Sequence, residues 1–285
     1  MRQPLDDKTY PYPRLCAHRG WSGALPENTL PAYGAAIALG ADEIEMDLYS
    51  TTDGVLVSCH SYRLSEISDG DGIVYEKSYE ELKELDFGVK FGEEFRGLRI
   101  ATLEEILRQF GNRVIINIHM KIWDLQLPDD KMEETVALVK RYGCERSVYF
   151  LACNAWGDDK IREMKARHPE ISCALGHDRQ RMWESVERAI EVGADKMQQY
   201  EGYVDRETVE KAHKHGIRVG VYVYEGDRDA IIEKSMDYYR MGVDYVLTDH
   251  FLALKTGSTP NSSKRHTTPL TQGGFLHGRE QGLAR

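Results

Sequence analysis

Three histidines, two carboxylates, an arginine and a lysine stand in short patterns along this chain: His18-Arg19, Glu45-x-Asp47, His60 and His119-x-Lys121. Histidine exchanges protons near neutral pH, because its unperturbed pKa is about 6.5. Carboxylates with an imidazole make a ligand set for a divalent cation, and arginine and lysine hold anionic oxygens. Singly, each residue has an ordinary explanation as a hydrogen-bonded histidine, a solvated acid or a surface ion pair. Gathered in one place, they would be costly to desolvate unless something doubly charged, a metal or a phosphate, sat among them. What matters is whether the chain brings them together.

Strand-like runs at 14–18, 43–49, 113–119, 147–151, 171–175, 195–199, 217–223 and 244–248 alternate with helical runs near 29–39, 102–110, 130–142, 158–168, 179–191, 205–215 and 228–240. Asn28 is placed to cap the first helix, and Thr102 with Glu105 forms a capping box for the second. Gly40, Gly111, Gly143, Gly193, Gly216 and Gly242 each follow a helical run, where a left-handed residue is expected. Alternation of this kind means parallel strands with crossover helices. Eight strands match an α/β chain folded as a (β/α)8 TIM barrel, and no GxGxxG follows the first strand to suggest an open dinucleotide-binding sheet.

Polar residues at the C-terminal ends of barrel strands face the catalytic mouth. That rule gathers His18 and Arg19, Glu45 and Asp47, His119 and Lys121, and Tyr222 on the seventh strand. Asp249, after the eighth, reads as structural. His177, Asn154 and Gln199 are weaker candidates for contact with an alcohol group. His168, His213 and His215 read as structural, and Glu27 with Asn28 as fixing the first loop.

One run breaks the alternation. Residues 55–59 form a further strand after Asp53-Gly54, a strong hairpin signal. With those two as a two-residue turn, Asp47 opposes His60, and Glu45 shares their face. Residues 61–100 then form an insertion, expected as a small cap over the catalytic face. Domain 1–255 would be the barrel, with 256–285 a flexible tail of Ser, Thr, Gly, Pro and basic residues.

Composition narrows the partners. With 37 Lys+Arg against 47 Asp+Glu, the net charge is −10, which disfavours nucleic acid or an anionic membrane surface. No run approaches the roughly 20 apolar residues of a membrane span, so no stable membrane insertion is expected. The first residues lack the apolar core of a secretory leader. Five cysteines without a CxxC pair read as reduced, buried thiols of a cytoplasmic protein. Oligomeric state is left open.

AHRG with PENT (Pro26 to Thr29), EMDLYSTTDG, His60, the stretch 86–107, NIHMK and GVDYVLTDH together resemble the glycerophosphodiester phosphodiesterase family, over roughly residues 14 to 252. The resemblance implies a (β/α)8 barrel with an insertion after the second strand, and a small-molecule phosphodiester substrate of lipid and glycerol metabolism. It implies His18 and His60 as general acid and base, and Glu45 and Asp47 as ligands of one divalent metal ion (Mg, Ca or Mn). Arg19 and Lys121 would hold the phosphate, with Tyr222 on the glycerol side. His119 stands where most relatives have a third metal-binding glutamate. If it ligates, the site should shift toward Mn, Co or Zn; otherwise it contacts substrate, or the site is weak. Ser61 stands where an aspartate commonly follows the second histidine. The implied reaction is metal-dependent hydrolysis to an alcohol and glycerol phosphate. The alternatives are a phospholipase D-like lyase giving a cyclic phosphate, and a degenerate member that binds phosphorylated ligands without turnover.

Overall fold

The computed structural model describes residues 5–121, 130–154 and 156–256. The tail reading over 256–285 lies almost wholly outside them. Strands run β1 (Arg14–Ala17), β2 (Glu43–Ser50), β3 (Leu56–Ser58), β4 (Ala101–Thr102), β5 (Ile115–His119), β6 (Val148–Ala152), β7 (Ser172–Leu175), β8 (Lys196–Tyr200), β9 (Arg218–Tyr222) and β10 (Tyr245–Thr248). Helices are α1 (Leu30–Ala38), α2 (Leu64–Ile67), α3 (Tyr79–Leu82), α4 (Leu103–Phe110), α5 (Asp130–Arg141), α6 (Gly157–Arg167), α7 (Ser185–Val192), α8 (Arg206–Lys214), α9 (Arg228–Met241) and α10 (Phe251–Thr256).

Eight strands are parallel neighbours in the order β1-β10-β9-β8-β7-β6-β5-β2, and β2 pairs back onto β1 through Cys16↔Glu43 and Ala17↔Ile44. The (β/α)8 barrel is therefore closed. Closure explains the sequence of β2, whose eight residues are all buried. Ile44, Met46 and Leu48 join the main apolar core. Successive strand residues point to opposite faces, so Glu43, Glu45 and Asp47 point into the barrel. A strand between two solvated faces would not need both sets buried.

The hairpin register differs from expectation. Leu48↔Ser58, Tyr49↔Val57 and Ser50↔Leu56 pair antiparallel, and Cys59, not His60, donates its N–H to the Asp47 carbonyl. The turn holds three residues rather than two: Thr51 N–H bonds Val55 O, and Gly54 sits at φ 85 while Asp53 keeps negative φ. Asp-Gly serves this longer bulged turn as well as the two-residue one. His60 consequently lies two residues beyond β3, in the loop that opens the insertion. Residues of that insertion build a core of their own on the hairpin, where Leu64, Val74, Leu82, Phe87 and Ile100 pack with Tyr49, Val57 and Cys59.

Three helix ends also differ. Thr29, not Asn28, caps α1 by accepting from Ala32 N, and Asn28 is left-handed at φ 59. Gly111 is not left-handed; Asn112, at φ 60, takes that role. The capping box of Thr102 and Glu105 is present. The helix expected over 179–191 begins at Ser185, after a short 3-10 turn at Met182–Glu184.

Candidate active site

The site is built from the C-terminal ends of β1, β2 and β5. Parallel register places Asp47 opposite His119 and Glu45 opposite Asn117. Glu45, Asp47 and His119 each offer a ligand atom, all within 4.8 Å of one another, and all three side chains are buried. His119 Nδ1 lies 3.2 Å from Asp47 Oδ1 and 4.0 Å from Glu45 Oε1. Cations flank this acid pair. Arg19 Nε is 3.3 Å from Asp47 Oδ2, and Lys121 Nζ is 3.6 Å from Asp47 Oδ1. Arg19 also donates through Nη1 to Glu27 at 2.6 Å and through its backbone N–H to Glu45 at 3.0 Å. Its backbone is left-handed at φ 53, an uncommon state for a residue with a Cβ.

His18 follows β1 and is buried beside the cluster, with Nε2 4.0 Å from Glu45 Oε2. Its Nδ1 lies 2.7 Å from Asp249 Oδ1. A carboxylate only accepts, so Nδ1 carries a proton toward Asp249 and Nε2 faces the mouth. Ser22 Oγ donates to the same Asp249 oxygen at 2.7 Å. The Tyr222 ring is tilted over His18 with centroids 4.5 Å apart.

Electrostatics separate these groups. Burial, and then Asp47, push the Glu45 carboxyl up to about 7. Burial also works to raise Asp47, but Lys121, His60, His119 and Arg19 outweigh it and hold its carboxyl well below the usual range. Burial and the charge of Arg19 hold His60 well below the ordinary histidine range, against the pull of Asp47. Burial opposes ionisation of Asp249, yet His18 and Ser22 prevail and leave it lowered. Carboxylates, imidazoles and cations therefore lie within electrostatic reach of one another.

The sequence model of the glycerophosphoryl diester phosphodiesterase family matches residues 18–253, a span that includes every one of these side chains. The chain belongs to the glycerophosphoryl diester phosphodiesterase family. A glycerophosphodiester phosphodiesterase of Caldanaerobacter subterraneus subsp. tengcongensis is 32% identical, over 82% of this chain and 93% of the relative. A Bacillus subtilis glycerophosphodiester phosphodiesterase is 27% identical, over 85% of this chain and 86% of that one. Among solved structures, an Oleispira antarctica phosphodiesterase in complex with the product sn-glycerol-3-phosphate superposes with TM-score 0.69 at 26% identity, covering 86% of this chain and 96% of its own. A glycerophosphodiester phosphodiesterase from Agrobacterium tumefaciens shares the fold, with TM-score 0.70 at 22% identity over 85% of this chain and 99% of its own. Membership bears out the expected enzyme class, a phosphoric diester hydrolase.

In this glycerophosphodiester phosphodiesterase fold, Asp249, read from the sequence as a structural residue after the eighth strand, bonds His18 Nδ1 at 2.7 Å. It is not merely the end of the last strand, because it holds His18. Closure carries the signal: Ala17 pairs with Thr248, so the residues following each are neighbours. Of the weaker candidates, His177 lies at the mouth against Tyr200, with ring centroids 4.5 Å apart. Asn154 engages His177 through its backbone N–H. Gln199 faces away from the mouth. Its neighbour Gln198 bonds Asn117 and Tyr245 inside the barrel, so alternation turns Gln199 outward. Ser61 bonds Glu66 and Arg63 within the insertion.

Proposed function

We propose that the chain hydrolyses glycerophosphodiesters to an alcohol and glycerol phosphate, using one divalent metal ion and two imidazoles. The observation that carries this reading is the buried Glu45–Asp47–His119 cluster beside a histidine whose far nitrogen is held by a carboxylate. The donor set fits a metal. Two acids and an imidazole converge out of water, and Glu45 is pushed up to about 7 by burial and its neighbour, a cost that a bound cation would relieve. Imidazole in place of a third carboxylate favours Mn, Co or Zn over Mg or Ca. When bound by these residues, the ion would supply Lewis-acid stabilisation of charge on the phosphate.

The remaining work falls to the chain. Arg19 and Lys121 bind the phosphate oxygens and offset the charge that builds in the transition state. His60, held neutral beside two cations, accepts the proton of the attacking water or hydroxyl. His18 gives a proton to the leaving alkoxide, with Asp249 fixing its ring and stabilising its charged form. Tyr222 covers His18 and packs on the glycerol side. All five cysteines are free and buried, which supports a cytoplasmic, reducing setting. Among the described residues no helix is long and apolar enough to cross a membrane.

His18→Ala and His60→Ala, each assayed on a glycerophosphodiester with products followed by phosphorus NMR, test the reading. Each should lower kcat by about 10²–10⁴, with glycerol phosphate as the wild-type product. Losses below about tenfold in both would refute two-imidazole catalysis, and a cyclic phosphate end product would favour the lyase.

A further inference from the structure

We propose that Asn28 is a positioning residue whose carboxamide clamps Asp47 and ties the strand leading to His60 to the first helix. The inference rests on reading Asp47 as a metal ligand. Asn28 Oδ1 accepts from the Asp47 backbone N–H at 3.1 Å, while its Nδ2 donates to Asp47 Oδ2 at 3.1 Å. The two bonds close a ring around one residue and fix its carboxylate as well as its backbone. They also fix the amide's orientation, since the reverse would set N–H against N–H and oxygen against carboxylate.

The same Oδ1 is supported from two further elements. Tyr33 Oη, on α1, lies 2.8 Å away, and Ser58 Oγ, on β3, lies 3.0 Å away. Tyr33 and Ser58 are themselves 2.8 Å apart. Asn28, Tyr33, Asp47 and Ser58 are all 3% exposed or less. Ser58 ends β3 two residues before His60, so one carboxamide joins the metal-facing acid, the first helix and the hairpin that delivers an imidazole.

A carboxamide at this point does what a cap or turn residue does not. Asn28 holds φ 59, a conformation asparagine tolerates and glycine prefers. A turn role alone is satisfied by glycine, whereas the clamp is not. Partners that orient metal ligands typically change metal affinity or activity by about 10–100-fold when lost.

The decisive variant is therefore Asn28→Gly, which keeps the backbone and removes the clamp. Mn²⁺ binding is measured by calorimetry on the folded full-length protein, alongside kcat and KM. Asn28→Gly should weaken Mn²⁺ binding about 10–100-fold and lower kcat more than it raises KM. Tyr33→Phe, which removes one support and keeps the ring, should weaken Mn²⁺ binding by a smaller factor. Folded Asn28→Gly that binds Mn²⁺ like wild type overturns the proposal. If Asn28→Gly does not fold, wild-type affinity in both Tyr33→Phe and Ser58→Ala overturns it, and weakened affinity in either supports it. Asp47→Asn separates the two readings. Loss of Mn²⁺ binding there, with retention in Asn28→Gly, removes the clamp and leaves the metal site standing. Retention in Asp47→Asn removes both.

Discussion

Burial at the mouth sorts chemically similar side chains into different jobs. Asp47 is ringed by Arg19, Lys121 and His119, whereas Glu45, two residues earlier on the same strand, faces His18, His119, the Arg19 backbone and the like charge of Asp47. Because its carboxyl is pushed up to about 7, Glu45 carries a proton below that pH in the metal-free protein. A metal must displace this proton, so affinity for Mn²⁺ should rise with pH through neutrality and then level off. Calorimetry in buffers of different ionisation heat should show proton release that Glu45→Gln abolishes; pH-independent binding would contradict it. Asp249 supplies the second residue-scale expectation. Asp249→Asn keeps the shape but no longer accepts from His18 Nδ1 in both orientations, and kcat should fall by about 10²-fold with KM little changed. A wild-type kcat would make the pair structural only. The acids, the histidines and the cations were legible as residue types at strand ends. Asp249 was not, because its partner lies 231 positions away in sequence and only barrel closure makes them neighbours.

At the scale of elements, the parallel strands were the most legible part. Each of the eight candidate runs overlaps an observed barrel strand, since short apolar runs buried on both faces between helices leave little freedom. The hairpin was harder. Asp53-Gly54 announces a turn but does not say whether two or three residues lie in it, and a one-residue change moves every opposing pair. His60 reaches the site by lying just beyond the strand, not by facing Asp47 across it. Gly54 marks the difference, since it alone of the pair has positive φ, at 85. Gly54→Ala should therefore cost about 1–2 kcal/mol in urea unfolding, the scale of a left-handed residue with a Cβ. Asp53→Ala should cost less. A Gly54→Ala cost near zero would contradict the left-handed role of Gly54.

Across the whole molecule, charge is buried at both ends of the barrel for different reasons. At the end away from the mouth, Arg14 donates to Asp7 at 2.6 Å and Glu43 at 2.9 Å, and Lys196 donates to Asp7 at 2.6 Å, all out of water. The Lys196 ammonium also lies 3.8 Å from the Tyr149 ring centroid. This cluster ties the segment before β1 to the barrel floor. Burial works against an ionised Asp7, yet Lys196 and Arg14 keep it lowered. Lys196→Met should leave the acids under-compensated and cost about 3–5 kcal/mol in urea unfolding, while folded protein keeps its kcat. A loss of activity at unchanged stability would contradict a purely structural floor.

At the mouth, the proposed metal ion would offset the buried Glu45 and Asp47 carboxylates. Crystals of the full chain soaked in Mn²⁺ and measured for anomalous scattering test this most directly. A single strong peak within bonding distance of Glu45, Asp47 and His119 is the expected result. An ion held elsewhere, or none at all in crystals whose dissolved protein still hydrolyses a glycerophosphodiester in the presence of a chelator, would contradict the account.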